Sequence, residues 1–272
     1  MAAGGFLTRR DGKPVPPDPR IITNNGQSCL PMVGGVSHSV VEHPHLAYPE
    51  HIHYGRCETY AWGRLEGDVA KTTMRSVVHN VRLTTGPWPP EEAPGVDSVT
   101  FEAERIAIEV DSMYPENGDP SFEYKVLETL NMALTASSRE NGDQRTPIKL
   151  VYDEALLKCP TMAAIEKAFL TDEEFFKRRA RRYPDLKLEF GKSKLPRTKQ
   201  GYYLDSIVKQ IVFGEEIIEG NTFTKPGFGT LSFGLLQTGD FLRRVSMGQI
   251  KMGSDPGGDV DLGGAETNGI WK

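Results

Sequence analysis

Cysteine is scarce in this chain. Cys29, Cys57 and Cys159 are its only three, far apart and odd in number, which argues against a secreted disulfide framework and for a reduced, cytoplasmic setting. No run approaches the ~18–20 consecutive apolar residues of a membrane helix. The opening MAAGGFLTRRDGKPVPPDPR follows Phe-Leu at once with charge and proline, unlike a secretory leader. Two catalytic signatures are missing as well. Without a G-x-x-x-x-G-K-[ST] phosphate loop or a G-x-S-x-G elbow, nucleotide hydrolysis and serine hydrolysis gain no support. Cys57 with His79 as base is a further nucleophile candidate, but nothing marks its thiol pKa as lowered.

What the chain has in quantity is turn-forming residues. Its 272 residues include 28 Gly and 19 Pro, as expected when many turns join short strands. That length can bury a core without disulfides. RCETYAWGRL and KTTMRSVVHNVRL read as strands joined at Gly67-Asp68. In VTFEAERIAIEV the apolar residues change parity, which predicts a bulge or bend near Ala103–Arg105. LNMALTA and PIKLVYD alternate, and SIVKQIVF, TLSFGLLQ and FLRRVSMGQIKM return to strand patterns after residue 202. YGRCETYAWGRLEGD is echoed by FGTLSFGLLQTGD, which suggests two related hairpins. The fold class expected is therefore mainly β, an antiparallel sandwich or barrel.

Between the strands lies a two-helix insertion, about 160–183. MAAIEKAFL follows Pro160-Thr161. Thr171-Asp172-Glu173-Glu174 has the S/T-x-x-E form of a capping box, which makes Thr171 the expected cap of a helix ending at Pro184. Residues 1–50 hold seven prolines and read as an extended arm, 51–254 as the β-rich domain, and the Gly/Asp-rich 255–272 as a solvated acidic tail.

Five of the six histidines fall between His38 and His53, and the sixth is His79. On a strand, His51 and His53 leave the same face, a common start for a Zn or Fe site. The H-x-H-x4-E spacing of His51, His53 and Glu58 resembles the first metal motif of the cupin barrel family. That resemblance implies a divalent metal held by these residues beside an oxygenase- or isomerase-type site. It spans fewer than ten residues, and no P-x-G-x-x-H-x-x-x-N block follows. Strand geometry offers a second set, His51, His53, Cys57 and His79, because Cys57 shares parity with the two histidines unless Gly55 carries a bulge. In that set His79 lies roughly across from Cys57.

Charge is the other asymmetry. Between Lys177 and Lys199 there are ten basic residues and two acids, a local +8 in a chain of net charge −5, so the remainder carries −13. On the expected helix, Phe176, Ala180 and Tyr183 form an inward stripe broadened by Phe175. Lys177, Arg178, Arg179, Arg181 and Arg182 are left outside, with Glu173 and Glu174 pairing to Lys177 and Arg178 at i,i+4. With Lys192, Lys194, Arg197 and Lys199 of the basic loop 191–201, they form a candidate patch for an acidic partner. Few aromatics interleave with these cations, so no stacking platform for single strands is indicated.

These features predict a non-catalytic interaction or assembly protein. It would dock with copies of itself, or with another acidic partner, through the basic patch and extended arms, without a cofactor. The alternatives are a cupin-like metal-dependent enzyme using Zn or Fe, and a nucleic-acid-binding accessory protein.

Overall fold

Alternating apolar and polar side chains become antiparallel strand pairs along most of the chain. The computed structural model describes residues 2–8, 23–30, 34–42, 51–86, 95–240, 242–253 and 257–268. A ten-stranded sheet runs β13 (Glu216–Glu219), β12 (Val208–Phe213), β10 (Gly142–Tyr152), β9 (Ala133–Ser138), β7 (Ser98–Pro115), β6 (Val69–Thr85), β5 (Arg56–Glu66), β3 (Gly35–Glu42). In that sheet β8 (Ser121–Leu130) also pairs with β7, and β4 (Ile52–His53) with β6. A seven-stranded sheet runs β11 (Tyr203–Ser206), β15 (Gly229–Thr238), β16 (Leu242–Gly253), β17 (Gly257–Asn268), β1 (Ala3–Thr8), β2 (Thr23–Asn25), with β14 (Thr222–Lys225) also on β15. Strand β17 lies across β6 and β7, so the two sheets face one another as a sandwich, and among the described residues neither closes into a barrel.

The expected parity switch in β7 belongs to a row of kinks that crosses each sheet. Inward residues step by three from Ala103 to Ile106, and the same step separates Tyr54 from Cys57 and Val78 from Val81. In the facing sheet the steps run from Phe233 to Leu236, Met247 to Ile250 and Leu262 to Ala265. The register is constant on both sides of each kink in β6–β7, β15–β16 and β16–β17, so neighbouring strands bend together without slipping. Left-handed backbone marks the rows at Asn80 (φ 50°), Asn131 (φ 52°), Gly234 (φ 60°) and Gly263 (φ 63°), a region that Asn and Gly tolerate best. Asn131 also interrupts the expected LNMALTA face. Met132 and Leu134 are buried, whereas Leu130 is 38% exposed.

The core fills the space between the sheets. Phe101 and Phe233 approach to 6.3 Å between ring centroids. Ile106 and Ile108 of the larger sheet, and Met247 and Leu262 of the smaller, are fully enclosed. The two echoing segments are both hairpins, β5–β6 in one sheet and β15–β16 in the other. The first turns at Gly67-Asp68, as expected, with Gly67 at φ 60°.

Three helices interrupt the strands: α1 (Glu154–Leu157), α2 (Met162–Thr171) and α3 (Glu173–Ala180). Thr161 caps α2, its hydroxyl accepting from the Ala164 N–H at 3.1 Å. The cap of α3 is Asp172 and not Thr171: the Asp172 carboxylate accepts from Phe175 N–H at 2.9 Å. The Thr171 hydroxyl instead donates to the Lys167 carbonyl within α2. A carboxylate at the positive end of a helix gains from the dipole as well as the hydrogen bond.

The termini are extended as expected but are not free where described. Strands β1 and β2 lie in the seven-stranded sheet, and β3 is an edge strand of the larger one. All seven prolines of residues 1–50 lie outside the described residues. The Gly/Asp-rich tail is a central strand over residues 257–268, paired with β16 on one side and β1 on the other. Val260, Leu262 and Ala265 face the core, an inward set that the flanking Asp and Gly obscure in the sequence.

Candidate functional site

In the histidine stretch, the kink at Gly55 decides which side chains face out. Its N–H donates to the His79 carbonyl at 2.9 Å, and the bend, made without a shift of register against β6, turns Tyr54 and Cys57 inward, with Glu58 left on the outer face. Burial pushes the Cys57 thiol up to about 12, so it is held as the neutral thiol. His79 pairs with Arg56 and not Cys57, one residue away from the expected register. Burial, with Arg105 and Arg56 beside it, holds the His79 imidazole below its usual range. The His51 Nδ1 donates to the Thr84 carbonyl at 3.1 Å, and His53 is exposed. Glu58 takes Arg56 at 3.1 Å and lies 3.4 Å from His38. Among the described residues, no three His, Cys, Asp or Glu side chains gather closely enough to share a metal ion. His43 and His45 lie outside them.

The basic stretch is organised differently. Helix α3 buries Phe175, Phe176 and, unexpectedly, Arg179, which is 3% exposed. Arg179 follows Phe175 by four residues and therefore shares its face, with the guanidinium over the Phe175 ring at 4.4 Å. Two buried carboxylates receive it: Asp153 at 2.7 Å, just after β10, and Asp205 of β11. Asp153 also caps α1, accepting from Leu156 N–H at 3.2 Å. Burial alone would raise its carboxyl, yet Arg179 and Arg178 outweigh burial and hold it below the usual carboxylate range. The Tyr203 hydroxyl donates to Asp205, and burial together with that carboxylate keeps Tyr203 neutral.

This cluster fixes the neighbouring cations. Arg178 reaches Asp153 at 3.4 Å, and Arg182 reaches Asp205 at 2.9 Å while donating to the Asn221 side-chain carbonyl at 3.2 Å. Lys177 takes Glu173 at i,i+4, as expected, and also Glu174, so the expected Glu174–Arg178 pair is replaced by Arg178 on Asp153. In the basic loop Lys192 meets Glu189, and Arg197 bridges Glu166 and Asp240. Of the nine patch residues, only Arg181, Lys194 and Lys199 lack an ion-pair partner among the described residues.

Arg181, though not Lys194 or Lys199, lines a cleft of about 300 Å³ between α3, the start of β12 and the β13–β14 turn. Its walls carry Arg178, Arg179, Arg181, Arg182 and Lys209 against Glu219. With Asp153 and Asp205 behind them, five cations face three carboxylates, an excess of two positive charges. Arg178 and Arg182 are held in place by buried anions, whereas Arg181 and Lys209 are exposed and unpaired among the described residues. Cations held in this way bind an anion with little further ordering cost.

Lys209, Asp153, Asp205 and Asn221 were not among the residues singled out from sequence. Asp205 sits in the apolar run YYLDSIV, where a lone carboxylate signals a buried cation. No family model matches this chain, no curated protein is detectably similar to it, and no solved structure matches its fold. Among the described residues, no helix is long and apolar enough to cross a membrane.

Proposed function

We propose that the protein is a non-catalytic interaction component that docks an acidic segment of a protein partner in the cleft between α3 and β12–β14. The observation that carries this reading is the convergence of Arg178, Arg181, Arg182 and Lys209 on one cleft, with most other cations of the basic stretch neutralised within the chain. Uncompensated positive charge confined to about 300 Å³ suits a few carboxylate side chains. Duplex nucleic acid instead calls for a long positive surface that tracks many phosphates. The reading also puts the chain in the cytoplasm, supported by three free cysteines.

Fluorescence anisotropy with a labelled poly-glutamate peptide tests it. The wild-type chain binds at low salt and progressively more weakly as ionic strength rises. The double variant Arg181→Glu with Lys209→Glu changes only exposed side chains and loses roughly tenfold or more in affinity, about 1.4 kcal/mol. Equal binding by the double variant, tighter binding of a labelled DNA duplex, or salt-sensitive self-association without peptide binding each sinks the proposal.

A further inference from the structure

Arg243 projects inward from β16 near the turn into β15 and is 2% exposed. No Asp or Glu pairs with it among the described residues, and both terminal amino groups, Nη1 and Nη2, are buried without a hydrogen-bond partner. Its one polar contact is weak, Nε to the Thr238 hydroxyl at 3.4 Å. The guanidinium otherwise stands over the rings of Phe122, at 4.6 Å, and Tyr124, at 5.7 Å, which belong to the opposite sheet. Cation–π contacts of this kind recover only part of the cost of removing a full charge from water.

The surroundings are polar in a particular way. The Tyr124 hydroxyl is likewise buried without a partner among the described residues, the Tyr114 hydroxyl lies beside the hydroxyls of Ser112 and Thr267 and within reach of the Arg243 charge, and Thr267 is the direct cross-strand neighbour of Arg243. The cluster therefore presents guanidinium and hydroxyl donors and, among the described residues, no anionic acceptor. Tyr124 is itself partly exposed, so the cluster lies one side chain below the surface. A guanidinium fork beside hydroxyl donors matches the two-oxygen face of a carboxylate or phosphate group.

We propose that Arg243 anchors an oxyanion-binding site between the sheets, with Tyr124, Tyr114 and Ser112 completing the donor set and Phe122 flooring it. The ligand class is a small carboxylate- or phosphate-bearing molecule. This site is independent of the α3 cleft and does not rest on the docking proposal.

Thermal unfolding of the full chain at constant ionic strength, titrated with sodium phosphate, sodium acetate or sodium chloride, tests the site. Wild-type Tm rises and saturates with phosphate or with acetate, as a bound native state requires. Which of the two saturates identifies the ligand chemistry, and chloride gives no saturable rise. Arg243→Met abolishes the saturable rise and has a Tm in chloride equal to or above wild type, because it removes an uncompensated buried charge. Tyr124→Phe keeps the cation and weakens apparent affinity several-fold, a readout that stands even if the first variant does not fold. Parallel rises in wild type and Arg243→Met, no saturation with either oxyanion, or unchanged affinity in Tyr124→Phe overturns the proposal.

Discussion

Arg179 and Arg243 are buried to nearly the same depth, 3% and 2% exposed, yet they are opposites electrostatically. Arg179 meets two buried carboxylates that tie α3 to the end of β10 and to β11. Arg243 meets aromatic faces and hydroxyls, with no carboxylate among the described residues. Burial alone therefore does not tell what a charged side chain is for. A cation surrounded by its counter-charges holds the fold and orients its neighbours, whereas one without a counter-charge is a candidate site for an anion from outside.

The sharpest way to break this contrast is to replace each arginine with methionine and compare stability by chemical denaturation. Arg179→Met strands Asp153 and Asp205 in the interior and costs about 3–5 kcal/mol. Arg243→Met, measured without phosphate or carboxylate in the buffer, is neutral or stabilising. Equal losses would erase the distinction.

A smaller effect appears on the acid side. The folded-state pKa of Asp153 lies below its unfolded value, so its contribution to stability is present above the ordinary carboxylate pKa of ~3.9 and is lost as pH falls through the folded value. Urea midpoints of the wild type should fall in that window, and Asp153→Asn should show a shallower acid limb. Arg243→Met leaves the Asp153–Arg179 pair in place and should retain the wild-type limb. The smallest effect belongs to Lys177, whose pairs with Glu173 and Glu174 are fully solvated. Lys177→Ala should leave the urea midpoint unchanged within error, and a clear loss would mean that surface pairs here behave like the buried cluster.

Much of the architecture was legible from the chain. Strand alternation, the Gly67-Asp68 turn, the bend after Ala103 and the helix after Pro160-Thr161 all rest on local rules that the surroundings did not override. The Gly55 kink was visible as a condition, and its presence moves Cys57 inward and Glu58 outward. The role of β17 was hidden because glycines and aspartates are poor strand formers, and pairing with β1 and β16 supplies what propensity lacks. Helix periodicity already places Arg179 four residues after Phe175. The cluster stayed hidden because its partners, Asp153 and Asp205, are 26 residues away in either direction and meet it only through the tertiary fold. The parity of Arg243 with Val245 and Met247 points inward from sequence, but the missing counter-charge is visible only in three dimensions.

The docking account is tested most directly by amide hydrogen exchange of the full chain with and without saturating acidic peptide. It predicts added protection over residues 178–182 and at 208–209 and 219–222, the walls of the α3 cleft. Protection confined to the outer face around His53, Glu58 and His79, or no change in α3 while the peptide is bound, would contradict it.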